Sequence, residues 1–277
     1  MVQRLPDAYR FDPADPRAPS EAQWAGMSEE ERARVVAMLP AEVPEELMAP
    51  EGDPHRIAKT RTTDTLDAYF RRIRRKIYVS SELAVFYPDE PRFSPDVLAV
   101  RDVELRERDK WAVAAEGKGL DLVIEVHYGG DRAKDFARNV ERYARLGIEE
   151  YFIFDRAQLG LRGYRLPEGE REGGRRPVYR PILPQQGVYR SEVLGLDLAV
   201  EGAKLRFLVG MVAVPEAEEL IGKLGTMLDE VLLHKQEAEE RVLAEAAHAA
   251  EAEERVRVLE QQIEELRAEN ERLKRGG

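Results

Sequence analysis

The chain has 277 residues, 43% of them hydrophobic, with no cysteine and a formal net charge of −11, so it can bury a sizeable core but has no disulfide framework. There is no run of about 18 apolar residues and no basic-then-apolar start, so neither a membrane span nor a signal peptide is expected, and the cytoplasm is the expected compartment. The charge is uneven: residues 216–277 hold 17 Asp/Glu and 9 Lys/Arg, whereas residues 1–215 hold 37 and 34. A near-neutral body with an acidic tail argues against broad nonspecific affinity for nucleic acid.

Residues 1–27 include Pro6, Pro13, Pro16 and Pro19 among charged residues and are expected to form a flexible arm. Ser28 followed by Glu31 has capping-box spacing and predicts a helix over 28–38, with Val35, Val36 and Leu39 on one face. Four prolines from Pro40 to Pro54 then break the chain before a second helix over 57–74, whose Leu66, Tyr69, Phe70 and Ile73 recur at helical spacing. Arg71-Arg72 and Arg74-Arg75-Lys76 close that helix as a basic run, of the kind that pairs with local acids or contacts phosphates.

Strand patterns follow at 77–79, 83–87 and 97–100, with a turn at Pro88-Asp89-Glu90-Pro91. Residues 120–126, Leu-Asp-Leu-Val-Ile-Glu-Val, read as a strand buried on both faces. A helix over 131–146 with Phe136, Val140, Tyr143 and Ala144 on its apolar face, Gly147 at its C-terminal cap and a strand at 151–154 complete a βαβ crossover. An exposed loop is expected over 167–177, and short strands between 178 and 209 close a domain over 28–212 of mixed α/β (α+β) class.

From Ile221 the pattern turns to heptads. The a positions are Ile221, Leu228, Lys235, Val242, Ala249, Val256, Ile263 and Asn270; the d positions are Leu224, Val231, Ala238, Glu245, Ala252, Leu259, Leu266 and Leu273. Residues 216–275 are therefore expected to form a parallel coiled coil that makes a homodimer and offers a surface for a protein partner. Asn270, at an a position between Leu266 and Leu273, is the buried amide that favours two strands in register. A single amphipathic helix packed on the body is the alternative.

Two carboxylates interrupt the apolar strands: Asp96, in Ser94-Pro95-Asp96-Val97, and Glu125, in Leu122-Val123-Ile124-Glu125-Val126. An ionised carboxylate in such surroundings needs a cation, a basic partner or a raised pKa. If their strands are neighbours, both can converge on one divalent ion of the Mg²⁺ type, with a strand-end carbonyl as a further oxygen ligand. Asp135 and Asn139, four apart, share a helix face set off from the Phe136 and Val140 stripe.

Together with Pro54-His55, Asp135, Tyr143 and Gly147-Ile148-Glu149-Glu150-Tyr151-Phe152-Ile153-Phe154-Asp155, these segments resemble the Uma-type restriction endonuclease family of the PD-(D/E)XK nuclease superfamily. The resemblance covers residues 28–210, and a coiled-coil extension is a recurring variant. It implies a restriction-endonuclease-like core sheet flanked by helices, Asp96 and Glu125 as ligands of Mg²⁺ or Mn²⁺, and hydrolysis of DNA phosphodiesters. The superfamily's lysine two residues after the acid is His127 here. In the family a lysine also occurs on the following helix, in the spacing Asp, three residues, Lys, three residues, Tyr; here those positions are Asp135, Asn139 and Tyr143. His127 and Lys134 are then the candidates for the positive or proton-accepting group, with Asp135, Asn139 and Tyr143 in support. The alternative is a nuclease scaffold retained as a binding or assembly module.

Overall fold

A computed structural model describes residues 9–42, 52–168 and 176–275. It divides into two units, 1–217 and 218–277. In the first, α1 (Glu21–Ala25) and α2 (Glu29–Met38) each begin with a complete capping box, Ser20 with Gln23 and Ser28 with Glu31. The flexible arm expected over 1–27 is thus replaced, from Tyr9 onward, by packed chain: Tyr9, Ala18 and Met27 are buried, and the Tyr9 hydroxyl donates to the Arg17 carbonyl at 2.7 Å. These few apolar side chains are spaced too irregularly to show a period; Tyr9 and Met27 pack with Val35 of α2, and Ala18 packs with Leu39, Ala84 and Phe86.

The next helix, α3 (Asp53–Arg72), starts earlier than its apolar spacing suggests, because Pro54 lies in the first turn, where no amide donor is required. Leu66 and Phe70 are buried, whereas Ile73 lies past the helix end and is exposed. Two members of the basic run have partners nearby: Arg71 pairs with Asp67 at 2.8 Å, and Arg75 donates to the Val193 and Leu194 carbonyls. Of the prolines expected to break the chain, Pro44 and Pro50 lie outside the described residues, as do 169–175 of the expected loop.

The strands β1 (Ile77–Ser80), β2 (Ala84–Phe86), β3 (Val97–Arg101) and β4 (Lys110–Ala112) precede a short helix, α4 (Val113–Glu116), and β5 (Leu122–His127). A π-helical turn (Lys134–Arg138) runs into α5 (Asn139–Arg145), which Gly147 terminates at φ +73°. After it come β6 (Glu150–Asp155), β7 (Gly160–Arg165) and β8 (Arg180–Ile182). Six strands form one sheet in the order β1-β3-β5-β6-β7-β8; β5 and β6 are parallel, as a βαβ crossover requires, and the other pairs are antiparallel. The remaining strands, β9 (Tyr189–Ser191), β10 (Leu196–Glu201), β11 (Lys204–Val209) and β12 (Val212–Ala213), make a second, antiparallel sheet. β2 and β4 form a parallel pair of their own.

Alternate residues of the central strands feed two cores, as the period of two demands. On one face Val97, Ile124, Val126, Phe152 and Phe154 pack with Leu66 and Phe70 of α3 and Leu198 and Phe207 of the second sheet. On the other, Leu98, Val123, Tyr151 and Ile153 pack with Tyr143 and Ala144 of α5 and with Val85 and Trp111. Full burial of such a side chain contributes roughly 1.5–3 kcal/mol. Several of them together exceed the few kcal/mol that a buried carboxylate costs, so this sheet can carry charged groups at its centre.

The second unit is formed by α6 (Ala217–Arg275), 59 residues long, or about 90 Å at the α-helical rise. Its heptad seam lies open: Ile221 is 69% exposed, Leu259 56% and Leu266 64%. No described helix is long and apolar enough to cross a membrane.

Candidate active site

Register brings the two acids together. Pairing of Val97 with Ile124 places Asp96, just before β3, beside Glu125 in the middle of β5. The Asp96 amide donates to Glu125 Oε2 at 3.3 Å, and the Val126 amide donates to Asp96 Oδ2 at 2.7 Å. From α3, His55 Nε2 stands 3.1 Å from the same Asp96 oxygen. From α5, the Tyr143 hydroxyl donates to Glu125 Oε1 at 2.6 Å.

The two carboxyls are shifted in opposite directions. Burial and then the charge of Asp96 push Glu125 well above the usual carboxylate range, with the Tyr143 hydroxyl opposing. Burial also pushes Asp96 upward, but the bond and charge of His55 and the Val126 amide outweigh it, so Asp96 lies below its ordinary value. Tyr143 is raised well above 10, first by burial and then by Glu125. Adjacent acids pulled apart in this way share a proton more readily than they carry two charges.

Beyond Glu125, His127 ends the strand and is buried, its Nδ1 2.9 Å from Asp135 Oδ2. With Nδ1 turned to the Asp135 carboxyl, Nε2 is the ring nitrogen left for another partner. Asn139 Nδ2 stands 3.4 Å from Asp135 Oδ1, and the Tyr151 hydroxyl donates to the Asp135 carbonyl at 3.0 Å.

The helix carrying these groups keeps its expected apolar face and buries a polar line beside it. Tyr143 and Ala144 are buried, Phe136 and Val140 are half-buried against the same core, and Asp135 and Asn139 join Tyr143 in a second buried line. The π turn, closed by the Asn139 amide on the Lys134 carbonyl, accounts for this. Four residues slightly overshoot one α-helical turn and fall short of the wider π turn, so one spacing of each keeps all three side chains aligned. Each buried polar group then meets its own partner in the site, which removes the cost of turning it inward.

Lys134 is exposed, yet its charge acts on Glu125. His55 had no role in the sequence reading; its signal was the Pro54-His55 pair, which topology brings to Asp96 across 41 positions. Among the described residues no three or more His, Cys, Asp or Glu side chains converge as a ready-made metal cage. Two hard carboxylates beside an open strand end fit a magnesium-type ion, which keeps several waters and takes only one or two protein carboxylates.

A family model, Uma2, described as "Putative restriction endonuclease", matches residues 36–201, more than half of the chain and both acid-bearing strands. No curated protein matches the chain. Among solved structures, a "putative nuclease belonging to DUF820" from Anabaena variabilis ATCC 29413 is similar over 53% of this chain and 76% of its own, at 12% identity and a TM-score of 0.40. On the strength of the family match, the chain belongs to the Uma2 restriction endonuclease family.

Proposed function

We propose that this protein is a Mg²⁺- or Mn²⁺-dependent endonuclease that hydrolyses DNA phosphodiester bonds and acts as a homodimer joined through a parallel coiled coil. The observation that carries the reading is the meeting of Asp96, just before β3, with Glu125 inside β5, their affinities for protons driven apart. When bound, the metal supplies an activated water and neutralises phosphate charge. Asp96 and Glu125 hold it. His55 and the Val126 amide orient Asp96, and Tyr143 orients Glu125. His127, with Nδ1 turned to Asp135, presents Nε2 to accept a proton or to stabilise charge, in the place where the superfamily has lysine. Asn139 steadies Asp135, and exposed Lys134 adds positive charge.

The dimer rests on the open seam of α6, since a helix of this length with an exposed apolar stripe calls for a partner. A second reading, a scaffold that binds without cutting, is favoured by Asn139 and His127 at both expected lysine positions. Incubation with supercoiled plasmid in Mg²⁺ or Mn²⁺ separates the two. The enzyme reading expects loss of the supercoiled form with wild type and not with Asp96→Ala; no loss with either protein favours the binding module.

A further inference from the structure

Resting on the nuclease reading, we propose that Arg162, held over the ring of Phe136, is the residue that grips the DNA backbone beside the two acids. The site needs such a group. Three acidic side chains, Asp96, Glu125 and Asp135, gather where a phosphate must approach, and neither expected lysine position supplies a cation. Register places Arg162 two strands from Glu125 in one row, through Ile153: Glu125 pairs with Ile153 on β6, and Ile153 pairs with Arg162 on β7. Paired residues project to the same face of a sheet, so Arg162 stands on the face that carries Glu125 and His127.

Contacts close the same path from the helix side. The rings of His127 and Phe136 meet edge to face at 5.4 Å between centroids. Two guanidinium groups approach that Phe136 ring, Arg132 at 3.9 Å and Arg162 at 5.0 Å. Arg132 is neutralised by Asp155, its Nη1 2.5 Å from Oδ2, and the Asp155 carboxyl is held below its usual range despite burial. Arg162 has no carboxylate partner among the described residues and is exposed. Of the two guanidinium groups over this ring, Arg132 is paired with a carboxylate, which leaves Arg162 as the one open to a further anion. A phosphate oxygen is the complement of such a group, whose planar fork of donors rests against the Phe136 ring. Arg162 escapes sequence inspection because it lies 37 positions beyond Glu125, on a strand whose neighbours in sequence carry no motif.

The test uses the full-length protein in Ca²⁺ with a fluorescein-labelled DNA duplex, read by anisotropy across a salt series. Arg162→Gln is expected to weaken binding about tenfold and to reduce the slope of log K against log salt by about 0.9, the value for one phosphate contact. Arg162→Lys should keep most of the slope, because the charge remains. Lys223→Gln on α6, which removes the same charge elsewhere, should change neither quantity. Wild-type affinity and slope in Arg162→Gln would overturn the assignment, as would equal losses in Arg162→Gln and Lys223→Gln; in both cases metal-dependent cleavage by wild type would leave the nuclease reading standing. A wild-type protein that neither binds nor cuts DNA would overturn both.

Discussion

Glu125 is enclosed, and burial together with the Asp96 charge favours its protonated form. A raised folded-state value means that its contribution to folding is full below the ordinary 4.5 and is lost as pH rises through the elevated value. Glu125→Gln should therefore raise the unfolding midpoint of the metal-free protein by a few degrees at pH 8 and not at pH 4. The same variant should lose the rise in midpoint that Mg²⁺ or Mn²⁺ gives wild type by binding the native state. Scanning calorimetry checks both; identical pH profiles, or equal metal-induced shifts, would make Glu125 structural. His127→Ala should lower cleavage by roughly two to four powers of ten, the scale for a positioned acid, base or charge-stabilising group, while the metal-induced shift survives. Asn139→Lys should restore part of that loss, because it returns a cation to the buried line that already holds Asp135 and Tyr143. Undiminished cleavage in His127→Ala would remove histidine from the mechanism and leave Lys134 as the next residue to test.

At the scale of elements, β3, β5 and β6 were legible because each carries an apolar run, broken only in β5, by Glu125. The capping box at Ser28 likewise fixed the start of α2. Less visible was what depends on distant partners. The helix after β5 keeps its expected apolar face of Phe136, Val140, Tyr143 and Ala144, but the burial of Asp135 and Asn139 beside it depends on the π turn and on partners made at the site. A local periodicity does not encode hydrogen bonds made to another strand. His55 and Arg162 were hidden for the same reason: α3 and β7 meet the site only through tertiary packing and sheet order. The tail is the opposite case, since its heptads are local and α6 carries them without interruption. Removal of residues 254–277, which takes away Val256, Leu259, Ile263, Leu266 and Leu273, should lower the mass in solution measured by light scattering. Asn270→Leu should keep or raise the stability of the assembly while loosening its preference for two chains. An unchanged mass on truncation would show that the seam is not the interface.

For the whole molecule, the chain divides into a near-neutral α/β unit and an acidic helix, and under the proposed function these would separate chemistry from assembly. An acidic helix is a poor nucleic-acid surface, so the proposal assigns DNA contact to the first unit, where Lys134 and Arg162 are exposed. A dimer places two such sites in one particle, which suits cutting both strands of a duplex in one encounter. The most direct measurement is a time course on supercoiled plasmid in Mg²⁺, comparing the full chain, Asp96→Ala and the chain lacking residues 254–277. The full chain is predicted to convert supercoiled DNA to linear product with little nicked intermediate, the shortened chain to accumulate the nicked form, and Asp96→Ala to leave the plasmid intact. Equal cleavage by wild type and Asp96→Ala would contradict the metal-dependent site on which the account rests.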